Sequence, residues 1–291
     1  MELLVHLNNL DLLPKLENKK VDIVVGLEYY SSRAIVSLSV EQLKALHYQG
    51  NVYVLVNRLF EQKEIEGLRK TLNDLKDSTI KGLIFQDFAV ISICQKDHLP
   101  FDLIYNSDTL NTNHASINTL GSIGIKGAML ASQLHEDEVR SICKYANIDL
   151  FIQIHGKQYI SHSKRKLLSN YFQFNELKHE TDYDAKIVMK VHDMDTYSHI
   201  YEDRFGTHVF TQNELCLKDY LSSLNFKYGY LETIYLEDDY ILALIDYYRS
   251  EKTYQDLCEQ YPDHHYDTGF FADGTVYKLE DVRKRDANEK R

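Results

Sequence analysis

Eight short apolar runs punctuate this chain, and amphipathic stretches separate them. The runs are Leu3–Val5, Val21–Gly26, Val52–Val56, Gly82–Phe85, Asp102–Tyr105, Gly127–Leu130, Asp149–Ile154 and Tyr230–Tyr235. Several are unbroken and β-branched, the composition of parallel strands covered on both faces. Between them the apolar spacing changes to three and four. Ile65, Leu68, Leu72 and Leu75 share one helical face, and Val139, Ile142, Cys143 and Ala146 repeat the pattern. Ser39 with Gln42 makes a capping box before a helix expected to stop near Gly50. Thr211 with Glu214 reads as a second box, ahead of a helix carrying Leu215, Leu217, Leu221 and Leu224. Glu237, Asp238 and Asp239 suit the first turn of a further helix, where the dipole favours anions.

Strands alternating with helices predict an α/β protein with a (β/α)8 TIM-barrel-like fold; an open doubly wound sheet is the alternative. The stretch from Lys157 to Thr207 is too long for one loop and one short helix. Ile187–Val191 and Tyr197–Tyr201 alternate as strands do, so a small inserted β-hairpin is expected there. The expected plan is a barrel domain over residues 1–250, including the insertion at about 157–207, and a C-terminal extension over 251–291. Its last residues, VRKRDANEKR, are charged and expected to fray.

Composition narrows the function classes. With 33 basic and 44 acidic residues the formal net charge is −11, so bulk electrostatics do not favour nucleic acid, and any RNA contact needs a local basic patch. No run of eighteen apolar residues predicts a membrane span. The N-terminus MELLVHLNNLDLL lacks a basic leader, so no secretion signal is expected and the reading is cytoplasmic. Cys94, Cys143, Cys216 and Cys258 are widely spaced without a C-x-x-C, which fits reduced thiols rather than a disulfide framework.

In a barrel the strand exits carry the working groups. Here those exits hold Glu28, Asn57, Asp87, Asn106 and His155, read as a polar pocket for a small oxygen-rich ligand or a nucleotide. Asn and Asp also cap helices at such turns, and Glu28 with Arg33 would equally make a surface ion pair. His155 is open to three roles: base, metal ligand or satisfied core histidine. Lys157, His162, Lys164, Arg165 and Lys166, interleaved with Tyr159, Tyr171 and Phe172, form the densest basic stretch. Its cations could meet phosphates and its rings stack on bases; a solvated helix start reads the same way. No G-x-S-x-G or H-E-x-x-H motif marks a peptidase. Asp263, His264, His265 and Asp267 resemble a metal cluster only superficially, because adjacent strand histidines face opposite ways, and an exposed loop is expected.

Three segments carry a family resemblance. Gly26-Leu-Glu28-Tyr-Tyr-Ser-Ser-Arg33 is similar to a G-x-E-x-F-x-x-R segment. His155-Gly156 with Ser163-Lys-Arg165-Lys-Leu-Leu-Ser-Asn170-Tyr171 is similar to H-G-x-x-C-x-x-x-S-x-R-C-L-L-S-N-Y. His208-Val-Phe-Thr-Gln-Asn-Glu-Leu215-Cys216 is similar to H-x-x-(S/N)-x-x-D-L-C. With weaker matches at Asn57, at Asn106-x-x-Thr109-x-x-x-Asn113 and at Gly269-Phe270, the likeness spans roughly residues 1–278. The chain thus resembles peptidase family U32, the collagenase-like peptidases.

The strand exits and the matched motifs together give Glu28 and His155 as catalytic candidates. Arg33, Asn57, Asn106, Ser163, Arg165, Asn170 and His208 from the matched segments, and Asp87 from its strand exit, are substrate-binding candidates, with no metal site expected. Some members hold an iron–sulfur cluster on cysteines of the second motif; here Tyr159 and Lys166 stand in those places, so no cluster is expected on this chain. The chain resembles the short member of a pair in which a longer paralogue keeps the cysteines. Members of that branch serve hydroxylation of the wobble uridine of tRNA, in a route linked to prephenate. The implied partners are therefore the longer paralogue and tRNA, with no membrane. A collagenase-like peptidase and a non-catalytic scaffold for the paralogue are the rival readings.

Overall fold

A computed structural model describes residues 1–190 and 196–272 of the 291. The strands are β1 (Glu2–His6), β2 (Asp22–Leu27), β3 (Ser37–Leu38), β4 (Val52–Val56), β5 (Gly82–Phe85), β6 (Asp102–Tyr105), β7 (Gly127–Met129), β8 (Asp149–Ser163), β9 (Val188–Lys190), β10 (Tyr197–Asp203), β11 (Gly206–Cys216), β12 (Tyr228–Leu231) and β13 (Tyr266–Asp267). The α-helices are α1 (Leu13–Asn18), α2 (Val40–Ala45), α3 (Ile65–Asp74), α4 (Ala89–Lys96), α5 (His114–Ser122), α6 (Glu136–Tyr145), α7 (Leu167–Phe174), α8 (Asp238–Tyr248) and α9 (Tyr254–Gln260).

Eight parallel strands close a barrel in the order β12-β1-β2-β4-β5-β6-β7-β8, and β12 pairs back onto β8. The (β/α)8 expectation holds, and the open sheet is excluded. Alternation along each strand divides the apolar residues into two sets. Leu4, Val24, Tyr53, Leu55, Ile84, Ile104, Met129, Phe151, Tyr228 and Tyr230 form one cluster inside the barrel. The residues of opposite parity, such as Val5, Val25, Val54 and Leu83, join the larger core under the helices. Three rings plug the barrel: Phe151 stacks on Tyr228 at 4.8 Å, and Tyr53 meets both edge-on. Truncating the fully buried Phe151 should cost roughly 3–5 kcal/mol. Beyond the plug, where the strands end at the mouth, the barrel borders a cavity.

Beyond the barrel β8 runs on to Ser163 and pairs antiparallel with β11, which pairs with β10, which pairs with β9. The expected hairpin is present as β9 and β10, inside a larger antiparallel sheet. One expectation fails: residues 206–216 form a strand, not the approach to a helix begun at Thr211. The Thr211 hydroxyl accepts from the Gln158 backbone N–H at 2.9 Å and donates to the Asn213 carbonyl at 2.8 Å, so it caps nothing. Pairing with β8 satisfies this backbone and overrides the local capping pattern. The Ser39–Gln42 box does form, but α2 ends at Ala45, five residues before Gly50. The terminal VRKRDANEKR lies outside the described residues. Among the described residues, no helix is long and apolar enough to cross a membrane.

Candidate functional site at the barrel mouth

Inward parity continues past the apolar plug into polar residues. His6, Asn57, Gln86, Asn106, Gln153 and Glu232 each lie two residues beyond an inward-facing Leu4, Leu55, Ile84, Ile104, Phe151 or Tyr230. All but Gln86 line a cavity of about 90 Å³ at the mouth, with Arg33, Asp108, Lys157 and Tyr159. That volume admits several waters or a small polar ligand.

Arg33 is the built centre of this cavity. Its backbone adopts a left-handed φ of 60°, unusual for a residue with a Cβ. Asn57 holds it there: its side-chain oxygen accepts from the Ser32 N–H at 2.9 Å, and its amide donates to the Ser32 carbonyl at 3.1 Å. The Arg33 guanidinium donates to both oxygens of Asp108 at 3.2 Å and lies 3.7 Å over the Tyr159 ring. Asn106 fixes the other half of the pair, accepting from the Asp108 N–H at 3.1 Å. Burial alone would lower the Arg33 pKa, but the Asp108 carboxylate outweighs it and the net direction is up. Asn57 thus spends both ends of its amide on Ser32, whereas Asn106 holds Asp108 through its oxygen and keeps its amide NH2 without a partner among the described residues.

Opposite lies a second pair. His6 Nδ1 is 2.8 Å from Glu232 Oε1, and the Tyr230 hydroxyl donates to Glu232 Oε2 at 3.1 Å. Burial pushes the Glu232 carboxyl up, yet His6 and the Ile234 N–H pull it below the usual range. His6 Nε2 is buried and has no hydrogen-bond partner among the described residues. A buried polar atom of this kind needs an explanation, and none of the described residues supplies one. Lys157 donates from its ammonium to the Gln212 carbonyl at 2.6 Å, beside the groove that also holds Glu214, and burial lowers its pKa.

The other expected site residues lie elsewhere. Glu28 is exposed on the turn after β2 and does not line the cavity. Asp87 has outward parity and caps α4, accepting from the Ala89 N–H at 2.8 Å and the Phe60 N–H at 2.9 Å. Ser163, Arg165 and Asn170 sit at the far end of β8 and around α7. His208 is fully buried in the antiparallel sheet, 3.1 Å from Asp203 and stacked on His162 at 4.9 Å. His155 is fully buried on the outer side of β8, against α8. Ile154 is a bulged residue between the Gln153–Tyr230 and His155–Leu231 pairs, which reverses the alternation. Gly156 completes the turn with φ 96°; a Cβ there would lie 1.9 Å from the Glu232 carbonyl.

His155 anchors a buried network. The Tyr248 hydroxyl commits its proton to the Ile154 carbonyl at 2.6 Å, so His155 Nδ1 donates to Tyr248 at 3.1 Å. His155 Nε2 lies 3.2 Å from Glu214 Oε2, and Glu214 Oε1 lies 2.6 Å from His264 Nδ1. Both His155 nitrogens thus donate, the imidazolium pattern. Its pKa is raised although burial opposes this, through Cys216 and Glu214. Burial opposes the Glu214 shift too, but His155 and His264 bring its carboxyl down to about 2. His264 also reaches Glu237 at 3.2 Å and stacks on Tyr240 at 3.7 Å, so it is not the exposed loop residue its sequence suggested. Cys216 pairs with His155 across β8 and β11, but it lines neither the mouth cavity nor the groove beside Glu214.

The profile described as Peptidase family U32 matches residues 10–285. The chain belongs to this family. Among characterised proteins it is similar to the tRNA hydroxylation protein P2 of Bacillus subtilis (strain 168), 28% identical over 92% of this chain and 96% of that protein. It is also similar to tRNA hydroxylation protein P1 of the same organism, 24% identical over 58% of this chain and 42% of that protein. A third relative is the 23S rRNA 5-hydroxycytidine C2501 synthase of Escherichia coli (strain K12), 22% identical over 43% of this chain and 19% of that protein. The U32 barrel carries Tyr159 beneath Arg33, and Lys166 exposed at the start of α7. Cys94, Cys143 and Cys258 lie on α4, α6 and α9, apart from Cys216 on β11.

Proposed function

We propose that this chain is a cytoplasmic component of the machinery that hydroxylates the wobble uridine of tRNA, acting beside a longer, cysteine-bearing paralogue. The alignment that spans 96% of the tRNA hydroxylation protein P2 carries this reading. The mouth supports it with a built polar cavity, bordered by the Arg33–Asp108 pair, His6, Asn106, Gln153 and Glu232, a lining suited to a small polar ligand. In this proposal the chain binds and orients that ligand and the paralogue supplies redox chemistry. The residues do not fit an iron–sulfur cluster, since Tyr159 and Lys166 offer no thiolate and the four cysteines are dispersed. Nucleoside mass spectrometry of tRNA from deletion and complemented strains tests it. Hydroxyuridine should fall on deletion and return with the gene; unchanged levels in a strain lacking backup routes would sink it.

The peptidase reading gains one observation, the Cys216–His155–Glu214 row, which places a thiol beside a histidine and a carboxylate. The thiol is partly buried against Tyr247 and Tyr248, away from the mouth cavity. Gelatin cleavage by pure protein, lost in Cys216→Ser, would restore that reading.

A further inference from the structure

The outward face of α7 has no partner within the described residues of this chain. Only Leu168 of the helix is buried, while Leu167, Tyr171 and Phe174 recur at spacings of four and three and are 45%, 59% and 87% exposed. Lys164, Arg165 and Lys166, all exposed, lead into the helix. Among the described residues no carboxylate lies within ion-pair distance of these three cations. Glu61, which feels the field of Lys164, is already paired with Lys63 at 2.8 Å. This is a cationic and aromatic face on a chain of net charge −11.

The face is rigidly mounted. A buried carboxylate, Glu202 of β10, caps the helix by accepting from the Leu168 N–H at 2.6 Å and the Ser169 N–H at 3.2 Å. The Thr207 hydroxyl accepts from the Leu167 N–H at 2.9 Å. Both oxygens of Glu202 are thus committed inward, and the cations outside are not neutralised by them. Among the described residues, the hydrogen bonds that hold the helix to the sheet all lie in its first turn.

We propose that this face is where the chain grips an RNA loop: Lys164, Arg165 and Lys166 contact phosphates, while Tyr171 and Phe174 receive unpaired bases. The inference rests on the tRNA reading above and adds the surface that reading lacks. The unneutralised cations favour RNA over a protein partner, because phosphate contact releases counterions and aromatic faces stack on any base.

The test uses the full chain and a fluorescent anticodon stem–loop with uridine at the wobble position, titrated by anisotropy at several salt concentrations. Replacing Lys164, Arg165 and Lys166 together by Ala should weaken binding at least tenfold and flatten the salt dependence by about two in slope. Phe174→Ala should weaken it by about tenfold, Phe174→Tyr should restore it, and Phe174→Leu should not. Thermal melts should coincide with wild type, since these side chains are exposed. Unchanged affinity and slope in the triple variant overturn the proposal. So does full activity of Phe174→Leu on RNA with loss only of paralogue capture, which would mark a protein interface. Hydroxyuridine in the deletion strain is scored separately, so failure of the wider reading is distinguishable from failure of this surface.

Discussion

At the barrel mouth, the Arg33–Asp108 ion pair and the His6–Glu232 hydrogen bond border a cavity. Behind β8, His155, Glu214 and His264 form a continuous chain in which both Glu214 oxygens and both His155 nitrogens have partners. Both regions pair histidine with glutamate. The mouth keeps an unpartnered buried nitrogen on His6, whereas the rear network spends its capacity on itself. Unspent hydrogen-bonding capacity next to open space is the mark of a binding site, and complete internal pairing is the mark of architecture. The His155 motif, conspicuous in the sequence, is on the architectural side.

The largest effect should come from breaking the rear network. Glu214→Ala leaves His155 and His264 facing each other across a gap, and removing one member of a buried charged set costs about 3–5 kcal/mol. Urea unfolding should show it. A loss under 1 kcal/mol would mean that the network is solvated and does not hold the fold together.

Acid should reveal the same carboxylate with a smaller effect. A depressed carboxyl stabilises the fold above its unfolded pKa and loses that contribution as pH falls towards its folded value. For Glu214 the window runs from 4.5 down to about 2, with about 3 kcal/mol at stake. His155 runs the other way: its raised pKa stabilises the fold below 6.5, and that contribution fades as pH rises. Glu214→Gln should flatten the acid limb of the stability curve. An unchanged acid limb in the variant would assign acid lability to other groups.

At the mouth the balance reverses. Arg33→Lys should cost only about 1–2 kcal/mol, because a lysine can still pair with Asp108 but loses the two-pronged geometry and the stacking on Tyr159. If the mouth is the ligand site, tRNA hydroxyuridine in the complemented strain should drop at least fivefold although the protein remains folded. Wild-type hydroxyuridine levels would move the site elsewhere.

Much of this was legible in the sequence, and the failures have physical causes. The eight strands were readable because buried parallel strands are written as apolar runs. Asn57 and Asn106 were placed at the mouth because polar residues at strand exits stand out, and Arg33 was named only by the family motif, with a surface ion pair to Glu28 as the other reading. His6, Gln153 and Glu232 were missed, although extending the strand alternation by two residues would have named them. His155 was misplaced because a one-residue bulge at Ile154 cannot be seen without knowing what β12 pairs with. Thr211 misled because a capping box and a strand can share one local pattern, and the partner strand decides.

Parity also makes the smallest prediction the sharpest. Asp87 follows Gln86, which has inward parity and reaches Asp108 at 3.3 Å. One position on, Asp87 points out and serves backbone N–H groups of Ala89 and Phe60. Asp87→Ala should then behave as a lost cap, about 1 kcal/mol in a melt, with hydroxyuridine unaffected. Asp87→Asn should recover most of that, because an amide oxygen can still accept one of the two bonds. The paired experiment separates two residues adjacent in sequence by function: Gln86→Ala should loosen Asp108 and Arg33 and depress activity with little change in melting. If Asp87→Ala abolished hydroxylation in a protein that melts normally, strand parity would not be what sorts ligand-facing residues from structural ones at this mouth.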